Sequence, residues 1–271
     1  MSFPKIVHHF FSSVISGIED IAYAKGYKIM ICQSNESDAR EAIDTQALLD
    51  NRVDGILVSM SKTTRTFDHL ENIVDNHTPL VFFDRICDEI ETDRVIIDDT
   101  EGAKIAVTHL IERGCRQIIH LAGPQHLLIG KLRLEGYKKA LAEHGISYDD
   151  RLVLRCDTRE EVWKNQSKII ELAKTADGIF GVNDSTAITA MQVLQKEGIK
   201  IPQQIKIMGF GDGPNTTITT PTLSTVEQKG YEIGKEAVKL LLGRIDNPEK
   251  HEPFRTIVLT PELRERGSTA I

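Results

Sequence analysis

Short apolar runs alternate along this chain with longer stretches in which apolar residues recur every three to four positions. The runs are "YKIMIC" (27–32), "DGILVS" (54–59), "PLVFFD" (79–84), "RVIID" (94–98), "QIIHLAG" (117–123), "RLVLRC" (151–156), "DGIFGVN" (177–183), "IKIMGFG" (205–211) and "RTIVLT" (255–260). Most are rich in Val and Ile and apolar on successive residues, the pattern of strands buried on both faces. Between them, "FFSSVISGIEDIAYAKG" sets Phe11, Val14, Ile15, Ile18 and Ile21 on one helical stripe and closes at Gly26. "TEGAKIAVTHLIERG", "RLEGYKKALAEHG" and "STAITAMQVLQKEG" repeat the scheme and end at Gly114, Gly145 and Gly198, each suited to a left-handed helix stop. Alternating strand and helix predicts doubly wound parallel sheets covered by helices. The stretch "AGPQHLLIGK" (122–131) is a natural break, so the pattern reads as an α/β protein of two lobes.

In open parallel sheets, ligands bind beyond the carboxyl ends of the strands. The polar residues at those ends are Ser59, Asp84-Arg85, Asp98-Asp99, Asn183-Asp184 and Asp212, with Gly123-Pro124 in the same kind of position. Any one of them has a plain alternative as a helix cap, Asp184 above all. Gathered from two lobes, carboxylates, an amide and a guanidinium suit a small hydroxyl-rich ligand.

Composition narrows the function further. The 271 residues are 40% hydrophobic and 27% charged, ordinary for a globular protein, and the formal net charge of -7 makes the chain by itself a poor binder of polyanions. No apolar run reaches the ~20 residues that span a bilayer, and the start lacks the pattern of a secretory signal. Cys32, Cys87, Cys115 and Cys156 form no C-x-x-C pair and read as free thiols of a reducing cytoplasm. The histidines show no ligand spacing beyond the doublet His8-His9, whose side chains point apart, so neither a metal site nor a cofactor is expected. A G-x-S-x-G elbow and a G-x-x-x-x-G-K-[ST] phosphate loop are both missing. "GFGDGPN" (209–215) does not fit a dinucleotide fingerprint and is followed by loop-like "TTITTP". Strand-end aspartates holding Mg²⁺ for hydrolysis or phosphoryl transfer remain a rival, weakened by the lack of a D-x-D pair.

The segments "HHFFSSVISGIEDIAYAKGY", "NRVDGILVS", "PLVFFDR", "VIIDDTEGAKIAVTHLIERGCRQIIHLAGP", "RLEGYKKAL", "IFGVNDSTAITAMQVLQKEGIKIPQQIKIMGFGD", "TPTLSTVEQKGYEIGKEAVKLLLGRI" and "ERGSTA" occur in that order. Together they resemble the effector-binding and dimerisation core of the LacI/GalR (lactose/galactose-repressor) family of bacterial transcriptional regulators, over essentially the whole chain. The resemblance implies a type I periplasmic-binding-protein-like fold, two parallel-sheet lobes joined by three crossovers. It assigns 1–122 plus 228–252 to the first lobe and 123–227 plus 253–271 to the second. It also implies a non-enzymatic cytoplasmic sensor that binds a sugar or related small metabolite in the cleft between lobes. The sensor would form a homodimer and reach operator DNA only through an N-terminal helix-turn-helix that this sequence lacks. The Val14/Ile18 side of the first helix is a candidate dimer surface, with the core as its alternative. A periplasmic sugar-binding protein of the same fold is the rival reading, against which "TLSTVEQ" and Arg266-Gly267-Ser268-Thr269 weigh.

Matching the family's motifs residue by residue gives the expected ligand contacts. Phe10 lies at the cleft edge, with Phe11 in the helix core. Glu101 falls where some sugar-responsive members carry a carboxylate, its alternative being a helix first-turn charge. Arg133 opens the "R-L-x-G-[YF]" segment, where a guanidinium can fork to a hydroxyl pair or a carboxylate. Asn183 is expected to face the ligand while Asp184 caps the helix or braces the site. Trp163 reads as helix packing or, alternatively, as a stacking surface for a sugar. Two departures stand out. The start at "MSFPKIV" implies that the first strand of the core is mostly missing, and the family's G-[FY]-D-D motif is here Gly209-Phe210-Gly211-Asp212. The first aspartate is thus replaced by Gly211, leaving Asp212 to approach the ligand from the next position.

Overall fold

The computed structural model describes residues 1–5, 9–249 and 252–270, so His8 of the histidine doublet lies outside the described residues. The chain folds into two units by packing, residues 1–97 with 229–259 and residues 98–228 with 260–271. In chain order the first unit begins with β1 (Ser2–Phe3), α1 (His9–Ala24), β2 (Cys32–Gln33), α2 (Asp38–Asp50), β3 (Ile56–Val58), α3 (Asp68–Asp75), β4 (Leu80–Phe83) and β5 (Asp93–Ile97). The second contains α4 (Asp99–Glu112), β6 (Ile118–Ala122), α5 (Leu128–Glu143), β7 (Val153–Arg155), α6 (Arg159–Lys164), α7 (Gln166–Leu172), β8 (Gly178–Gly181), α8 (Asp184–Lys196), β9 (Lys206–Met208), α9 (Asn215–Ile218) and β10 (Thr225–Glu227). The chain then returns to the first unit for α10 (Gly230–Asp246) and β11 (Thr256–Leu259), and to the second for β12 (Glu262–Arg264).

The first unit holds a sheet of order β11-β5-β4-β3-β1-β2, parallel throughout. Ser2–Phe3 therefore occupies an interior position between β3 and β2 with only two residues, Ser2 registering against Cys32 and Val58. Of the expected strand at 27–32, only Cys32 is paired, and the pairing continues to Gln33. The Val14/Ile18 side of α1 is core and not a docking surface, because Val14 is 0% and Ile18 1% exposed against Ile233, Ala237 and Val238. α1 and α10 approach so closely that a Cβ on Gly17 would lie 2.1 Å from Tyr231 O, and one on Gly234 2.1 Å from Val14 O. A side chain on either glycine would force the helices apart. Each fully buried Val, Ile or Phe in such a core stabilises the fold by roughly 1.5–3 kcal/mol.

The second unit holds a parallel sheet of order β7-β6-β8-β9 and a separate antiparallel pair, β10 with β12. Residues 98–122, expected with the first lobe, belong here. The reason is packing: Ala103, Ala106, Val107 and Leu110 of α4 share one core with Leu134, Tyr137 and Ala140 of α5 and with Phe180 and Phe210. β6 in turn is an interior strand of this sheet, so the break at 122–131 is only the turn from β6 into α5. The predicted helix stops are present, with Gly26, Gly114, Gly145 and Gly198 at φ values of 81°, 93°, 69° and 76°. Trp163 packs on the core around Val162 and Ile169, with the Lys196 ammonium 4.4 Å from its ring centroid. Among the described residues, no helix is long and apolar enough to cross a membrane.

Candidate functional site

In the second unit the parallel order brings the loops after β6, β7, β8 and β9 to one edge of the sheet. Asn183 ends the strand segment of β8 with extended backbone, and its side chain caps α8: Oδ1 accepts from Thr186 N at 2.9 Å. The same amide donates through Nδ2 to Asp157 O at 2.9 Å, tying the loop after β7 to the end of β8. Because Nδ2 carries two hydrogens and Oδ1 two lone pairs, one donor and one acceptor position of this half-buried amide remain unspent.

The cap is thus Asn183, where Asp184 was the expected candidate, and Asp184 braces the edge. Its carboxylate turns inward, Oδ1 accepting from Thr225 Oγ1 at 2.5 Å and Oδ2 from Gly213 N at 2.9 Å, while its own N–H donates to Phe210 O at 3.0 Å. Space for it comes from the two glycines of "GFG". A Cβ on Gly209 would lie 2.5 Å from Asp184 Oδ1, and one on Gly211, whose φ is 142°, 2.9 Å from Oδ2. Burial pushes the Asp184 carboxyl up to about 6, against the pull of the Thr225 and Gly213 hydrogen bonds. A side chain at position 211 would therefore crowd the inward-turned Asp184 carboxylate.

Asp212 follows with a left-handed φ of 59° and accepts from Arg266 Nη2 at 2.6 Å, with Arg264 Nε 3.8 Å away. Arg266 also donates to Leu223 O at 3.0 Å. Sequence reasoning noticed Arg266 only as part of a family ending. Nothing local marks it as the partner of an aspartate 54 positions earlier.

Arg133 is not an exposed helix-start residue. It is 4% exposed on the inner face of α5. Its Nε donates to Asp99 Oδ1 at 2.7 Å, its Nη1 to Val182 O at 2.6 Å, and its guanidinium carbon stacks 3.7 Å from the Phe210 ring centroid. Burial raises the Asp99 carboxyl, and Arg133 pulls it back. The arginine therefore holds the end of β8 from within the unit. Glu101 lies in the first turn of α4, its side chain 45% exposed and 3.8 Å from Lys104 Nζ, in the geometry of a helix-dipole charge.

The first unit gathers a second polar edge. Phe10 is half-buried, its ring 5.1 Å from that of Phe11, which is core at 3% exposure. After β2, β3 and β4 come Ser34, Ser59–Ser61 and Asp84-Arg85. Ser34 and Ser61 share a 2.7 Å hydrogen bond, and Ser59 Oγ donates to Asp84 Oδ2 at 3.4 Å. Arg85 Nη1 donates to Glu36 Oε2 at 2.7 Å and to Met60 O at 3.2 Å. Burial alone would raise the Glu36 carboxyl, but Arg85 and the Lys62 N–H hold it below its ordinary value. Glu41, wholly buried, accepts from Ser61 N at 2.6 Å and Thr64 Oγ1 at 2.8 Å and pairs with His69 Nε2 at 2.9 Å. Asn35, Glu36 and Asp84 adopt left-handed φ values of 54°, 63° and 60°, backbone strain of the kind that gathers at functional edges. Sequence reasoning found Ser59, Asp84 and Arg85 and missed Glu36 and Glu41. Among the described residues, no group of three His, Cys, Asp or Glu is placed to hold a metal ion.

Residues 107–269 match the periplasmic binding protein-like domain family. The chain is 33% identical over 265 residues to the HTH-type transcriptional repressor PurR of Vibrio atlanticus, an alignment covering 96% of this chain and 77% of that protein. It is 32% identical over 267 residues to the HTH-type transcriptional repressor CytR of Escherichia coli K12, covering 98% and 77%. A solved LacI family transcriptional regulator from Enterococcus faecium, with bound ribose, superposes with a TM-score of 0.85 at 28% identity, covering 99% of this chain and 97% of that one.

Proposed function

This chain belongs to the LacI/GalR family of transcriptional regulators and is the effector-sensing core of one; we propose that its effector is a sugar or sugar-like metabolite held by the strand-end residues described above. The observation that carries this reading is the Asn183 amide, which caps α8 and bridges to Asp157 yet keeps a donor and an acceptor position open at the end of a buried strand. An amide that both donates and accepts fits a hydroxyl, which does the same. In the second unit Asp212 adds an acceptor and Glu101 a peripheral carboxylate, and Phe10 offers an apolar ring surface at the edge of the first. Arg133 and Asp184 act by holding the end of β8. The related Enterococcus regulator with bound ribose supports a saccharide.

The chain works as a cytoplasmic homodimer without catalytic activity, and its effector alters operator binding by a helix-turn-helix domain of the kind named in the relatives. Tyr23, Met30, Ile31 and Ile43, large apolar residues exposed by 76%, 43%, 46% and 68%, support a dimer contact through the first unit.

Thermal unfolding against a panel of pentoses, hexoses, disaccharides, nucleosides and purines tests the reading. A ligand at 100 times its Kd stabilises the fold by ~2.7 kcal/mol, and Asn183→Ala should weaken binding at least tenfold, about 1.4 kcal/mol. A panel without a single shift contradicts it, as does a hit that Asn183→Ala leaves unchanged.

A further inference from the structure

We infer that the Gln228 amide and the Asp184 carboxylate, which flank Gly211 in the second unit, form a subsite for one hydroxyl of the effector; the inference rests on the saccharide reading above and extends it to a residue that reading does not use. Gln228 closes the "TLSTVEQ" segment directly after β10. It is 8% exposed, yet among the described residues its amide has no hydrogen-bond partner. Buried amides are almost always paired. The polar groups around it follow that rule. Thr225 Oγ1 donates to Asp184 Oδ1 at 2.5 Å, Ser224 Oγ bonds Thr269 Oγ1 at 2.7 Å, and Asp212 accepts from Arg266 Nη2 at 2.6 Å.

The Gln228 oxygen points to a definite place. A Cβ on Gly211 would lie 3.6 Å from Gln228 Oε1 and 2.9 Å from Asp184 Oδ2; with Asp184 Cγ at 3.4 Å, these are its three nearest neighbours outside residues 210–212. Gly209 gives the contrast, because there Asp184 Oδ1 at 2.5 Å and Leu223 Cδ2 at 2.8 Å already fill the corresponding space. A φ of 142° accounts for glycine at 211, but it does not account for the amide beside it. Gly211 and Asp184 are half-buried, so the space next to them stays reachable from solvent. Burial raises the Asp184 carboxyl to about 6, so above pH ~7 it is ionised. Its Oδ2 then takes one bond from Gly213 N and has a lone pair left to accept another. A hydroxyl fits both groups. It donates to Oδ2, and the Gln228 amide, held by no other bond, turns to donate its N–H to the hydroxyl oxygen.

The test is thermal unfolding at pH ~7.5 with D-ribose, D-xylose, D-glucose and D-galactose, each beside analogues carrying fluorine in place of one hydroxyl. Fluorine removes the donor and nearly keeps the shape. For a sugar that binds, one such analogue should bind at least tenfold more weakly. Gln228→Met keeps the length and removes the amide. It should weaken the parent sugar at least tenfold and shrink that analogue's penalty at least threefold, while Tm without sugar stays level or rises. A variant that binds the parent within about twofold of wild type overturns the inference and leaves the saccharide reading standing. So does one that loses Tm without sugar and weakens every analogue by the same factor, the mark of a structural role. Should Gln228→Met fail to fold, Gln228→Asn, which draws the same amide back by one methylene, decides by the same comparison. No stabilisation by any of the four sugars overturns the saccharide reading, and the inference falls with it.

Discussion

The carboxyl-end edges of the two sheets carry similar groups but are held by different means. In the second unit, local sequence does much of the work: Asn183 caps onto Thr186 three residues on, and Gly209 and Gly211 clear the space into which Asp184 turns. Two arginine pairs, Arg133–Asp99 and Arg266–Asp212, are laid over that local frame. The first unit's edge depends on distant partners throughout. Glu36 meets Arg85 across 49 positions, and Glu41 gathers Ser61, Thr64 and His69 from 20, 23 and 28 positions away. Left-handed Asn35, Glu36 and Asp84 add a backbone cost there that those contacts must offset. Similar chemistry can thus rest on a capped helix and glycine clearance or on a buried carboxylate that organises a loop.

The sharpest way to break the second edge is Arg133→Ala. It leaves Asp99 buried without its cation and removes the guanidinium from Val182 O and the Phe210 ring. Urea unfolding should show a loss of about 3–5 kcal/mol. The corresponding change in the first unit is Glu41→Ala, which strands the Ser61 N–H and the Thr64 hydroxyl in a buried setting. A loss of about 2–4 kcal/mol is expected by the same measurement. A much smaller loss would mean that the loop after β3 does not depend on this carboxylate.

Asp184 sharpens the comparison through pH. Its folded pKa of about 6 lies above the unfolded carboxylate value near 3.9, so the fold binds more protons than the unfolded chain between those values. Its contribution is therefore most favourable below pH ~4 and is lost as pH rises toward 6, by on the order of 2–3 kcal/mol. The stability difference between the wild type and Asp184→Asn, measured by denaturant unfolding, should shrink or reverse across that window. A difference that does not change with pH would contradict the buried environment assigned to it. The smallest effect separates two caps. Asn183→Ala, which also loses the Asp157 bridge, should cost about 1–2 kcal/mol, whereas Ser37→Ala, whose cap bond to Arg40 N is a long 3.4 Å, should cost about 0.5 kcal/mol.

What was legible in the sequence follows the same divide. The interior strands, the glycine helix stops and Asn183 at a strand end are local signals, and each is present in the fold. The division between units was not legible, because α4 joins the second unit through side chains packed on α5 and not through any mark at Asp98. The β10–β12 pair went unseen because its strands are three residues each and its paired residues, Thr225 with Arg264 to Glu227 with Glu262, are far apart in the chain. The buried partners of Arg133 and Asp184 were not legible for a shared reason. A charged residue near a strand end looks available for a ligand until its buried partner, Asp99 or Thr225, is placed beside it.

The most direct test of the strand-end site is hydrogen–deuterium exchange with the saccharide that raises Tm most in the panel. The account predicts that slowed exchange concentrates at 183–187 and 211–216 in the second unit and at 34–37, 60–64 and 84–86 in the first. Protection confined elsewhere, for example to the 240 Å³ surface groove beside Arg244 and Arg255, would contradict it.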